Sequence, residues 1–170
     1  GQNAETPLSK LRKMILAKTD DERKSALAEL EPFIKAAVKG TMKVMDAKPV
    51  TFRLLDPPLH EFVPQTEIKK NELAEELNIS VGEIEKRGES LHEVNPMMGH
   101  RGVRLHVTYP MISETQFRAI FTAAGELKKE GFDPKPEIMV PVTISDRELR
   151  FQKAICEKIR AEVEAEFGFD

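Results

Sequence analysis

Val50-Thr51-Phe52-Arg53-Leu54-Leu55-Asp56-Pro57-Pro58-Leu59-His60-Glu61-Phe62 decides how this chain reads. A short apolar run carries an arginine to its end and then breaks into a proline pair edged by charged and imidazole side chains. Proline lacks the N–H that a strand or helix would need to continue, so the run is a strand and the prolines open a loop. A second stretch answers it: Asn95-Pro96-Met97-Met98-Gly99-His100-Arg101-Gly102-Val103-Arg104-Leu105. It too reads as a loop joined to a strand, with glycines around an arginine where backbone can approach a ligand closely.

Around these loops the chain alternates helix and strand. Pro7 to Ala17 carries Leu8, Leu11 and Ile15 at helical spacing. Thr19-Asp20-Asp21-Glu22 is a capping box opening a helix whose apolar side is Ala26, Leu27, Leu30, Phe33, Ile34, Ala37, Val38 and Met42. Pro32 inside it predicts a kink or a break. Val50 to Leu54 follows as the first strand. Lys69 to Leu77, closed by Asn78, and a helix opened by Ser80-Val81-Gly82-Glu83 form a charged excursion outside the main core. Gly102 to Thr108 reads as the second strand. Pro110 starts a helix that Gly131 stops, with Phe117, Ile120, Phe121, Ala124 and Leu127 at core spacing. Pro136 to Val142 reads as a third strand, apolar on both faces as buried parallel strands are. Ser145-Asp146-Arg147-Glu148 caps a last helix reaching Phe167.

Strands separated by long helices predict an α/β fold with a parallel sheet. Three strands are too few to close a barrel, which needs eight and about 250 residues. The expectation is a partial (β/α)8 barrel: about three parallel strands with flanking helices, a long loop and helical excursion over 54–102, and residues 1–6 as an added or disordered start to a segment spanning 7–170.

The bulk numbers remove several function classes. With 170 residues, 40% hydrophobic and 32% charged, the chain can build a core. A net charge of -3 gives no basic face for nucleic acid, and no apolar run approaches a bilayer span of about 20 residues. One cysteine excludes an internal disulfide and fits a reducing compartment, the cytoplasm or an organelle such as a plastid. Cys156 lies on the apolar side of the last helix, a core position rather than a nucleophile's. No histidines and carboxylates share metal-ligand spacing.

What remains is anion chemistry at the strand ends. Guanidinium makes paired, charge-assisted bonds to phosphate or carboxylate, so Arg53 and Arg101 are candidates for an anion clamp. Asp56, His60, Asn95, His100 and Arg104 are candidate supporting residues. The spacing equally fits structural ion pairs, with Asp56 or Glu61 close to the arginines, and histidines that face water.

At these loops the chain resembles the pyruvate, phosphate dikinase family. Thr51 to Phe62 is similar to its signature, Leu91 to Leu105 is similar to a second motif, and Pro136-Glu137-Ile138-Met139-Val140-Pro141 looks like its next strand. The likeness runs from about Leu11 to the end. Phosphoenolpyruvate synthase and Enzyme I of the sugar phosphotransferase system share the strand-end arginine but are not expected to carry Asp-Pro-Pro-Leu-His-Glu-Phe after it. The resemblance implies part of a barrel that binds phosphoenolpyruvate and pyruvate, served by a phosphohistidine domain of the same polypeptide in a homodimeric parent. The parent reaction interconverts ATP, phosphate and pyruvate with AMP, diphosphate and phosphoenolpyruvate. It further implies that Arg53 and Arg101 hold the phosphoryl group in transit. A third phosphate-binding arginine is expected before this segment, and the magnesium ligands and the cysteine that protonates enolpyruvate after it, so this chain alone is expected to be inactive. Outside that reading stand a non-catalytic anion-binding module and a dimer-interface piece.

Overall fold

A computed structural model describes residues 6–56, 63–64, 66–90 and 99–168. Their order is α1 (Pro7–Leu16), α2 (Asp20–Met45), β1 (Pro49–Arg53), α3 (Glu67–Leu77), α4 (Val81–Ser90), α5 (Val103–Thr108), α6 (Pro110–Lys129), β2 (Lys135–Met139) and α7 (Asp146–Phe167). The chain forms two compact units, one of Gly1–Leu30 with Pro57–Arg101 and one of Glu31–Asp56 with Gly102–Asp170. The class is α/β and mostly helical, with a two-stranded open parallel sheet among the described residues.

The first unit packs Leu16 against Leu73, Ala74 and Ile84, with Val63, Leu77, Ile79 and Val81 around them. Two arginines close the end of α1, where the last carbonyls have no partner within the helix. Arg23 Nη2 donates to the Ala17 carbonyl at 2.8 Å and Arg87 Nη1 to the Leu16 carbonyl at 2.8 Å. Both cations also oppose the negative end of the helix dipole. Asn78 ends α3 in the left-handed conformation, φ 53°, where asparagine is tolerated.

The second unit holds the sheet. β1 and β2 pair in parallel with Phe52 beside Ile138 and Arg53 beside Met139. One face, through Val50, Phe52 and Ile138, packs on Val38, Met42, Ile120, Ala123 and Leu127. The other carries Thr51, whose hydroxyl donates to Glu137 at 2.8 Å, and Met139, half-exposed. The expectation of a strand buried on both faces is therefore corrected: helices cover one face, and alternation of polar and apolar residues follows from that. Below the sheet, Leu54, Phe117, Ile159 and Val163 form a further core, and Gly125 lets α6 and α7 meet. A Cβ there would come within 2.9 Å of the Phe167 ring.

The second expected strand is a helix. Gly102, at φ +55°, turns the chain into α5, and a Cβ at this position would lie 2.8 Å from the Pro141 carbonyl oxygen. The Val103 N–H donates to that same carbonyl at 2.9 Å. Val103, Leu105 and His106 are buried whereas Val107 is 40% exposed, the burial spacing of a helix turn. Reading His106 as an outward polar residue makes Val103, Leu105 and Val107 look like strand alternation. Burial of the imidazole breaks that pattern.

Pro32 does not break α2, which runs through it. The local signals otherwise behave as expected. Ser145 and Glu148 form a reciprocal capping box, Pro110 is the first residue of α6, and Gly131, at φ +91°, follows its end. At the start of α2, the Glu22 N–H donates to Thr19 Oγ1 at 3.1 Å, and the Glu22 carboxylate accepts from the Lys18 N–H at 2.8 Å and from the Thr19 N–H.

Candidate functional site

The carboxyl end of β1 presents Arg53 to solvent, its side chain 57% exposed, while Asp56 three residues on is only 4% exposed. Arg53 Nη2 bonds Asp56 Oδ2. The ion pair thus has one buried partner and one exposed partner, a guanidinium bonded through one terminal nitrogen with more than half of its side chain open to water. Arg and Asp at this spacing meet because the chain between them is itself fastened. The Leu54 N–H donates to the Met139 carbonyl at 3.0 Å, and the Leu55 N–H donates to Gln116 Oε1 at 2.9 Å. The Leu55 carbonyl lies 2.7 Å from His106 Nε2. Both polar groups of one loop residue are therefore taken by side chains of α5 and α6.

His106 is fully buried, and its Nδ1 lies 2.8 Å from Ser113 Oγ, which in turn lies 2.6 Å from the side-chain amide of Gln152 on α7. Burial pushes the imidazole below its ordinary value of 6.5, partly opposed by the Leu55 carbonyl and by the charge of Asp56. The imidazole is therefore neutral near pH 7. Desolvation wins here because the ring is enclosed on all sides.

The other expected residues are placed as follows. Arg104 lies on α5, and its charge helps hold the Glu148 carboxyl below the usual range, behind the larger contributions of the Ile144 and Ser145 N–H groups. Arg101 and His100 are half-buried, and the Arg101 N–H donates to the Gly99 carbonyl at 2.9 Å. They belong to the first unit, Arg53, Asp56 and Arg104 to the second. The structure brings Arg53 and Asp56 together; the pairing of Arg53 with Arg101 is not described by either unit alone. His60 and Asn95 lie outside the described residues. Cys156 packs on the Leu54 and Phe117 core, and burial pushes its thiol up, away from the reactive thiolate.

Three residues that matter to this geometry, His106, Ser113 and Gln152, escape a motif search. Their signal is a polar residue at a core-spaced helix position. Ser113 precedes Phe117 by four residues and Gln152 precedes Ile159 by seven, both on the buried sides of their helices. Among the described residues no three His, Cys, Asp or Glu side chains are grouped to hold a metal ion, and no helix is long and apolar enough to cross a membrane.

Comparison with known proteins gives this geometry its context. Residues 11–170 match the family model of the PEP-utilising enzyme, PEP-binding domain. Pyruvate, phosphate dikinase of Clostridium symbiosum is 46% identical over 164 residues, which are 96% of this chain and 19% of the relative. The dikinase of Giardia intestinalis is 48% identical over 158 residues, 93% of this chain and 18% of the relative. The chloroplastic dikinase of Flaveria trinervia is 46% identical over 160 residues, 93% of this chain and 17% of the relative. The chain thus spans under one-fifth of the length of these relatives, and the likeness first visible in its two loops extends through nearly all of it. The chain belongs to the PEP-utilising enzyme family and lies within its PEP-binding domain.

Proposed function

We propose that this chain is part of a pyruvate, phosphate dikinase and supplies Arg53 and Arg101 to the binding of a phosphoryl group moving between a phosphohistidine and pyruvate. The observation that carries this reading is the 46–48% identity to dikinases over almost the whole chain. Arg53 supports it physically. It is exposed at the carboxyl end of a parallel strand, the end at which α/β enzymes collect their chemistry, and Asp56 bonds its Nη2 while more than half of the side chain stays open. A guanidinium so held can neutralise the charge spread over the equatorial oxygens and keep the group in line for transfer.

In the proposed parent, β1 and β2 belong to a (β/α)8 barrel completed by strands outside this chain. Magnesium would be held there by acidic residues of the parent that lie outside this segment. The segment alone is then inactive, and its parent is a homodimer working in the cytoplasm or a plastid.

The test is kinetic. In the full-length polypeptide, Arg53→Ala and Arg101→Ala should each lower phosphoryl transfer to pyruvate by about 100-fold or more. The nucleotide half-reaction should continue. Near-normal pyruvate turnover in both variants would sink the assignment.

A further inference from the structure

The Leu55 backbone is held more tightly than a strand exit requires. Gln116 accepts from its N–H and His106 meets its carbonyl, each from a different helix. Arg53, two residues before it, and Asp56, directly after it, form an ion pair. Any rotation of the Leu55–Asp56 peptide would move that pair, because the carbonyl that His106 holds belongs to the same peptide unit as the Asp56 N–H.

The imidazole can serve the Leu55 carbonyl only as an Nε2–H donor. A neutral histidine carries one ring proton, and the tautomer with that proton on Nδ1 would turn a lone pair toward the carbonyl oxygen. What stands at Nδ1 therefore matters, and there Ser113 Oγ lies at 2.8 Å. Ser113 has a single proton. If Gln152 turns its amide oxygen to Ser113, that proton is claimed by both the oxygen and Nδ1, and the buried Gln152 nitrogen has no partner. With the amide turned through 180°, its nitrogen donates to Ser113 and Ser113 donates to Nδ1. His106 Nε2–H then donates to Leu55. The unpartnered atom becomes a carbonyl oxygen, which proteins tolerate better than a buried N–H. All the donors then run one way, from α7 through α6 and α5 to the exit of β1.

We propose that His106 is a positioning residue: Ser113 and Gln152 fix it as an Nε2–H donor, and through the Leu55 carbonyl it sets where Arg53 and Asp56 present their ion pair. Asp56 is the charged group acting on the ring, and Ser113 and Gln152, the α6 and α7 contributions, do not titrate. The structural half of this inference stands on contacts within the second unit. Its functional half rests on the reading of Arg53 as a phosphoryl-binding group.

Two measurements test the two halves separately. Nitrogen-15 spectra of the histidines in the 170-residue chain at pH 7.5 should show His106 as the neutral Nε2–H tautomer; the Nδ1–H tautomer would overturn the relay. In the full-length polypeptide, His106→Leu should lower kcat for transfer to pyruvate by about 10-fold or more, since small misplacements of a binding group have effects up to about 100-fold. His106→Gln, whose amide N–H can reach the same carbonyl, should recover most of the loss. A folded His106→Leu enzyme with unchanged kcat would overturn positioning. Should that variant not fold, Ser113→Ala reads the same quantity, and unchanged kcat there has the same consequence. Arg53→Ala serves as the reference: if it leaves transfer intact, the phosphoryl-binding reading fails while the tautomer result stands. If it abolishes transfer and His106→Leu does not, positioning alone fails.

Discussion

Arg23 and Arg87 in the first unit and Arg53 in the second are used in opposite ways. In the first unit Arg23 and Arg87 have side chains 6% and 13% exposed and direct donors at the carbonyls that end α1. In the second unit Arg53 is 57% exposed and bonds a carboxylate that is itself buried. An arginine whose donors close a helix end is part of the fold. One that pairs with a buried acid at the end of a strand keeps more than half of its side chain toward solvent. Residue type does not separate these cases; the groups that meet the guanidinium do.

The sharpest way to break this comparison is to remove one arginine of each kind. Arg53→Ala carries the largest expected effect, the loss of pyruvate transfer described above. Arg87→Leu should instead lower stability and spare transfer per folded molecule. Leaving the Leu16 carbonyl without its charged donor costs about 1–3 kcal/mol, read as a lower urea midpoint at unchanged slope. If Arg87→Leu spared stability and reduced transfer per folded molecule, the division between the two units would be wrong.

A comparable effect on the same scale is expected at Gly102. Alanine there meets the Pro141 carbonyl at 2.8 Å and must hold φ +55°, so Gly102→Ala should destabilise by roughly 1–3 kcal/mol. A melting temperature equal to the parent's would show that the turn into α5 tolerates a side chain.

Acid should distinguish the units more gently. His106 has its pKa lowered by burial from an ordinary value of 6.5, so the unfolded chain takes up the proton first. Its effect on stability is nil well above pH 6.5, and stability falls as pH drops below 6.5 toward the folded value. In the first unit Glu29, held down by Lys10, and Glu83, held down by Lys18, have lowered values relative to 4.5, so their contribution is present above 4.5 and lost below it. Amides of α5 to α7 should therefore begin to lose hydrogen-exchange protection, corrected for intrinsic rate, once the pH falls below 6.5, before those of α3 and α4 lose theirs below 4.5. Simultaneous loss would remove the distinction.

The features legible in the chain are those whose cause is local. Ser145 and Glu148 meet across one helix turn, Pro110 presets its own φ, and Gly131 relieves its own backbone strain, so each announces a boundary within a few residues. The loops around Arg53 and Arg101 are equally legible as the mark of a family; Pro49–Arg53 lies within a residue of the expected Val50–Leu54, whereas Lys135–Met139 covers only the first part of the expected Pro136–Val142, which ends in a turn with Val142 at φ 57°. At Gly102–Thr108, where the pattern predicts a strand and the chain forms a helix, the decisive group is His106. Its partners Leu55 and Ser113 lie 51 and 7 positions away, and Ser113 joins it to Gln152 across a further 39. No short window of sequence contains all three separations. By itself the sequence determined the caps, the two strands, the family and the arginine worth testing, because these depend on neighbours along the chain. Only the tertiary structure decided that His106 is buried, that α5 is a helix and that the Leu55 peptide is fastened from two sides, because burial and hydrogen-bond partners are set by elements that meet only on folding.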